Sequence, residues 1–174
     1  GSGISGLLHI QMAKAAGASK IIATDINDFR LKAAKQFGAD VVLHAKEDIP
    51  SRLKKENNGS LADHVILCTA AMPAISQALK SVDKGGVVLF FAAPGPGIEV
   101  PLPINEFWRN GITLMPTYGA APDDIEAAIE FIRHKRVNLI DMITHRLGLK
   151  KTAKGFQLVA EAEESIKVII EPQK

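Results

Sequence analysis

The 174 residues predict an α/β fold, a doubly wound and mostly parallel sheet with helices on both faces. Three observations carry that prediction. Short β-branched runs alternate with alanine-rich amphipathic stretches along most of the chain. A glycine-rich turn, Gly1-Ser2-Gly3-Ile4-Ser5-Gly6, stands directly before a helical stretch. Asp25 closes the next strand, nineteen positions after Gly6.

The elements follow in order. Residues 4–17 predict a helix with Leu7, Leu8, Ala13 and Ala16 for packing and Gly17 as its stop. Residues 20–24 are a short buried strand. Asn27 caps a second helix that runs through Leu31 and Ala34 to Phe37 and ends at Gly38. Residues 41–43 form the next strand, and 46–59 are polar and poorly periodic. A strand over 64–68 is followed by a helix opened by Pro73, with Ile75, Ala78 and Leu79 facing inward. Residues 86–92 are a strand rich in Val and Phe. Four prolines and two glycines between 94 and 103 demand a loop or extended crossover. Residues 111–115 make the last strand of the parallel sheet. Pro122, Asp123 and Asp124 open a helix through Ile125, Ile129 and Ile132. A helix over 151–162 and a strand over 166–170 end the chain. The natural division is a dinucleotide-binding unit, 1–118, and a C-terminal unit, 119–174.

Composition narrows the function. Hydrophobic residues make up 47% and charged residues 23%, a balance typical of a folded globular domain. A net charge of +2 is too small for a dedicated nucleic-acid binder. No apolar run is long enough to cross a bilayer. The single cysteine, Cys68, excludes an internal disulfide and fits a reducing, cytoplasmic compartment.

The glycine turn and Asp25 carry the chemistry. Gly1 permits a tight turn out of a strand, Gly3 lets the backbone approach a pyrophosphate, and Gly6 lets the helix pack on the sheet. The helix start then offers free N–H groups and a partial positive charge to phosphates. An acid about 20 residues further on binds a ribose 2′-hydroxyl and repels a 2′-phosphate, which favours NAD over NADP. Arg30 is either a helper at that ribose or a solvated helix residue. The same signals fit an S-adenosylmethionine-dependent methyltransferase or a non-enzymatic NAD-binding module.

Other residues point to structure. The five histidines (His9, His44, His64, His134 and His145) lack metal-ligand spacing, so no metal site is expected within the chain. Cys68 ends an apolar strand and reads as a small buried hydrophobe. Asp123 and Asp124 suit a helix macrodipole. Lys150, Lys151 and Lys154 form a solvated helix face.

Residues 1–25, Cys68-Thr69-Ala70, the run 85–90, Tyr118-Gly119, Ile143-Thr144-His145-Arg146 and Ile166-Lys167-Val168 occur in an order that resembles the C-terminal half of zinc-type medium-chain alcohol and polyol (sorbitol-like) dehydrogenases. The resemblance covers essentially the whole chain. It implies a Rossmann domain in which Ile4 and Ser5 hold a pyrophosphate and Asp25 and Arg30 the adenosine ribose. Thr69 would lie on the adenine side, Phe91, Ala92 and Ala93 would line the nicotinamide, and Lys167 would reach the pyrophosphate. Phe91 stands where relatives usually have glycine. The resemblance also implies a secondary alcohol or polyol as substrate, no catalytic residue in this chain, and zinc held only by a preceding N-terminal domain. A zinc-free reductase relative is the alternative. The first Rossmann strand, central in the order 3-2-1-4-5-6, is missing from the chain. The last sheet strand, apolar at Ile112, Leu114 and Met115 and unguarded by lysine, would meet its twin in a homodimer or homotetramer. The other way to protect that edge is the chain's own proline-rich loop.

Overall fold

Helix α1 (Ile4–Ala15) follows the glycine turn at once and buries Leu7, Ile10 and Gln11 in the computed structural model, which describes residues 1–174. Strand β1 (Ile22–Asp25), helix α2 (Asp28–Gln36) and strand β2 (Val41–His44) come next. Asn27 caps α2 as expected, its side chain accepting the Arg30 N–H at 3.2 Å. The strands pair in parallel from Ile22 opposite Val41 to Asp25 opposite His44.

The polar stretch 46–59 holds an element that its periodicity does not reveal, α3 (Ile49–Glu56). The Asp48 carboxylate caps it by accepting the Ser51 N–H at 3.3 Å and the Ser51 hydroxyl at 2.7 Å. Only Ile49 and Leu53 are buried, and they pack with Leu43. Strand β3 (Ala62–Leu67), helix α4 (Met72–Leu79), strand β4 (Val82–Phe90), helix α5 (Ile104–Asn110) and strand β5 (Thr113–Pro116) complete a parallel sheet ordered β3-β4-β5. Strand β4 starts four residues before the expected Gly86, because Val82 pairs with Ala62 ahead of a register shift.

The C-terminal part contains α6 (Pro122–Arg133), β6 (Ile143–Gly148), α7 (Thr152–Glu161) and β7 (Lys167–Glu171). Strand β6 is an unanticipated parallel partner for β7. The α6 stripe Ile125, Ile129 and Ile132 forms, but no residue of α6 is buried. Two polar ties fasten this part to the rest. Gln11, 7% exposed, donates to the Asn138 carbonyl at 3.3 Å and accepts the Asn138 N–H at 2.6 Å. Asn27 Nδ2 donates to the carbonyls of Ala162 and Glu163. Leaving such a buried group unpaired costs about 1–3 kcal/mol, so the C-terminal part is held rather than merely adjacent.

In the order 3-2-1-4-5-6, β1 and β2 correspond to strands 2 and 3, and β3, β4 and β5 to strands 4, 5 and 6. The first strand is absent from these residues, as expected. β1 and β3 form no ladder with each other. A cleft of about 620 Å³ separates them, lined by Ile22, Ala23 and Thr24 on one side and His64, Val65 and Ile66 on the other. The core is divided accordingly. Leu7, Ile10, Ala34 and Phe37 pack on the β1 side, and Leu67, Ile75, Val88 and Phe107 on the β4 side.

Candidate functional site

Parallel strands send their carboxyl ends to one edge of the sheet, where ligands of open α/β folds bind. The glycine turn lies there, between the ends of β1 and β3. Ser2 is 2% exposed and fastens the turn to β1. Its N–H donates to Asp25 Oδ2 at 2.7 Å and its hydroxyl donates to the Thr24 carbonyl at 3.1 Å. On the other side Gly1 packs so closely on Thr69 that a Cβ there would come within 3.2 Å of Thr69 Cβ. Gly6 is glycine because a Cβ would run into the Gly1 carbonyl oxygen. These contacts let α1 sit directly on the turn.

Gly3 differs. A Cβ on it would meet only the Arg30 guanidinium, at 3.8 Å, an ordinary contact. The chain itself therefore does not require glycine at this position. What a side chain would fill is the space between the turn and Arg30.

Asp25, 5% exposed, accepts Ser2 N–H on one oxygen and Asn27 N–H, at 2.9 Å, on the other. A carboxylate has about four acceptor positions, so each oxygen keeps capacity for a hydroxyl. Arg30 reaches over Gly3, and its Nε is buried with no hydrogen-bond partner. Helix α1 has neither a side-chain cap nor an acid in its first turn, so nothing within the chain neutralises its first N–H groups. An unpaired buried donor, an uncapped helix start and a glycine with room above it together make a cradle for a phosphate.

The structure thus brings Gly1, Gly3, Ile4, Ser5, Gly6, Asp25, Arg30 and Thr69 together. Phe91, Ala92 and Ala93 follow the carboxyl end of β4 along the same edge, with Phe91 and Ala92 both donating their N–H to the Leu67 carbonyl. Lys167 is not drawn into the group. It lies exposed at the start of β7, opposite Ile143, and forms no ion pair or side-chain hydrogen bond. Cys68 is half-buried rather than fully enclosed, and burial pushes its thiol above its ordinary range, which disfavours a thiolate nucleophile. Sequence reasoning missed Ser2 and His9. His9 lies within 3.5 Å of Cys68 Sγ and against the Phe91 ring. Its place four residues after Ser5 put it on the same helix face, but nothing local foretold Phe91.

A dinucleotide fits these residues. Zinc does not, because no group of three or more His, Cys, Asp or Glu side chains could hold a metal ion. No helix is long and apolar enough to cross a membrane.

The topology and the glycine turn define a Rossmann-type α/β domain, and comparison with known proteins makes the assignment more specific. The family model described as "Zinc-binding dehydrogenase" matches residues 5–134, and the chain belongs to that family. It is 31% identical to sorbitol dehydrogenase of Halalkalibacterium halodurans over 99% of the chain and 50% of that protein. It is 33% identical to L-threonine 3-dehydrogenase of Bacillus velezensis, again over 99% of the chain and 50% of that protein. Among solved structures, alcohol dehydrogenase TADH from Thermus sp. ATN1 superposes with a TM-score of 0.88 at 26% identity. That match covers 98% of this chain and 49% of that one. The chain therefore spans about half the length of the relatives it matches. Family membership removes the methyltransferase alternative.

Proposed function

We propose that this chain is the NAD-binding portion of a dehydrogenase that moves a hydride between NAD and a secondary alcohol or polyol. The observation that carries the proposal is the buried Asp25 carboxylate beside a phosphate cradle of uncapped α1 and the unpartnered Arg30 Nε. The amides of Ile4 and Ser5 hold the pyrophosphate, with Arg30 beside them. Asp25 accepts from the adenosine ribose hydroxyls and places its charge against any 2′-phosphate. Thr69 bounds the adenine side, and Phe91, Ala92 and Ala93 bound the nicotinamide. Lys167 joins the pyrophosphate only by swinging its long side chain from β7. NAD, when bound, supplies the hydride acceptor, and the protein's share is orientation and electrostatics.

Residues 119–174 return toward a catalytic domain that holds zinc and the groups acting on the hydroxyl. The exposed stripe of α6 and Phe156 and Val159 of α7 suit such a covering. The relatives named for sorbitol, threonine and alcohol share a hydroxyl-bearing substrate, which sets the class proposed here. The enzyme acts in the cytoplasm on this reading. The full-length protein, given NAD and a panel of sorbitol, L-threonine and simple secondary alcohols, is expected to form NADH with at least one. A zinc chelator is expected to abolish the activity. NADH binding with no turnover of any hydroxyl compound would contradict the enzymatic part of the proposal.

Strand β5 supplies the assembly surface. It is the edge of its sheet, and Met115 nearby is 50% exposed. Thr117 donates its N–H inward to the Phe90 carbonyl, so the backbone groups of Leu114 and Pro116 turn to the outer edge, while the Leu114 side chain packs against the β4-side core. Leu114 offers a backbone N–H there, and Pro116, which has none, ends the pairing. Two copies meeting edge to edge across a two-fold axis form an isologous homodimer, which can build a tetramer. Light scattering on the full-length protein is expected to show an oligomer, and Leu114→Lys a monomer. A monomer in the unmodified protein, or an oligomer indifferent to the lysine, would contradict edge pairing.

A further inference from the structure

Resting on the NAD reading above, we infer that His9 is a positioning residue at the nicotinamide end of the crevice. Its ring holds Phe91 as an aromatic wall for the nicotinamide half of the coenzyme. The strand order places that end. The glycine turn, which cradles the pyrophosphate, lies between the carboxyl ends of β1 and β3, with Asp25 on the β1 side. A dinucleotide with its adenosine ribose on Asp25 must extend its other half across β3 toward β4. Phe91 is the first residue after β4 and leaves 44% of its surface exposed.

The contacts that place the two rings are internal to the chain. The Phe91 backbone is anchored by its N–H on the Leu67 carbonyl at 3.1 Å. His9 Nδ1 lies 2.8 Å from the Ser5 carbonyl, which accepts its proton, and 3.5 Å from Cys68 Sγ. The two rings meet edge to face, with centroids 4.6 Å apart and planes at 75°. That is a favourable geometry for an aromatic pair, and it leaves Phe91 apolar surface for a flat heteroaromatic ring. A ring already immobilised loses little entropy when a ligand packs on it. His9 thus stands one helical turn from Ser5 and the phosphate cradle, with its ring against Phe91.

The test separates the two halves of the coenzyme in the full-length protein. NADH carries the nicotinamide; ADP-ribose has everything but that ring. Phe91→Ala is expected to weaken NADH about tenfold and leave ADP-ribose within about twofold. It should also reduce the fluorescence enhancement of bound NADH, which reports the nicotinamide environment. His9→Ala is expected to weaken NADH about threefold, and to add nothing in a Phe91→Ala background, because it acts only through that ring. Equal losses for both ligands, additive losses in the double variant, or tighter NADH binding by Phe91→Ala would overturn the wall. Asp25→Ala must weaken both ligands. If ADP-ribose is indifferent to it, the NAD reading itself has failed, and the wall with it.

Discussion

Gly3→Ala is expected to leave the folded protein's thermal midpoint within about 2 °C while weakening NADH at least about a hundredfold, or about 2.8 kcal/mol. Gly6→Ala is expected to lower the midpoint by ~5 °C or more. The two glycines stand three residues apart in one turn, yet different neighbours constrain them. At Gly6 the obstacle is the Gly1 backbone carbonyl, which cannot swing aside as a side chain could. Alanine would gain up to about 1 kcal/mol in helix propensity, so a net loss shows that the clash wins. At Gly3 the backbone, φ −67° and ψ −168°, suits any residue, and the nearest atoms belong to the Arg30 guanidinium at 3.8 Å. A methyl group is compatible with the fold there. It would stand where the phosphate approaches the turn. Calorimetry for stability and titration for affinity separate the cases. Equal destabilisation by both substitutions would show that Gly3 serves packing, not a ligand.

What could be read from the sequence was local. The glycine turn, the acid at the end of β1 and the Asn27 cap depend on neighbours a few residues apart, and each forms as expected. Helix α3 escaped notice because Ile49 and Leu53 are its only buried residues, too few for a period to stand out. Its readable signal was the cap at Asp48 followed by Pro50. Strand β6 depends on a parallel partner more than twenty residues later, and its His145 and Arg146 disguise its alternation. The same limit hid His9, whose role rests on a contact with Phe91 across the sheet edge. Lys167 shows the converse. Its sequence match suggested the pyrophosphate, but its place in β7 leaves it exposed and unpaired.

Coenzyme choice tests the central claim most directly. Asp25 is buried, already accepts two backbone N–H groups, and faces the position a ribose 2′-substituent would take on the proposed binding mode. A hydroxyl can donate to it, whereas a 2′-phosphate brings a second negative charge and no donor. Removing the carboxylate also frees the Ser2 and Asn27 N–H groups, so both coenzymes lose some affinity, and the diagnostic quantity is their ratio. Paired titrations of the full-length protein are expected to show NADH binding at least about tenfold tighter than NADPH, or about 1.4 kcal/mol. Asp25→Ala is expected to bring the ratio below about threefold. Equal affinity for the two coenzymes in the unmodified protein, or a preference untouched by Asp25→Ala, would contradict the assignment of this crevice to NAD.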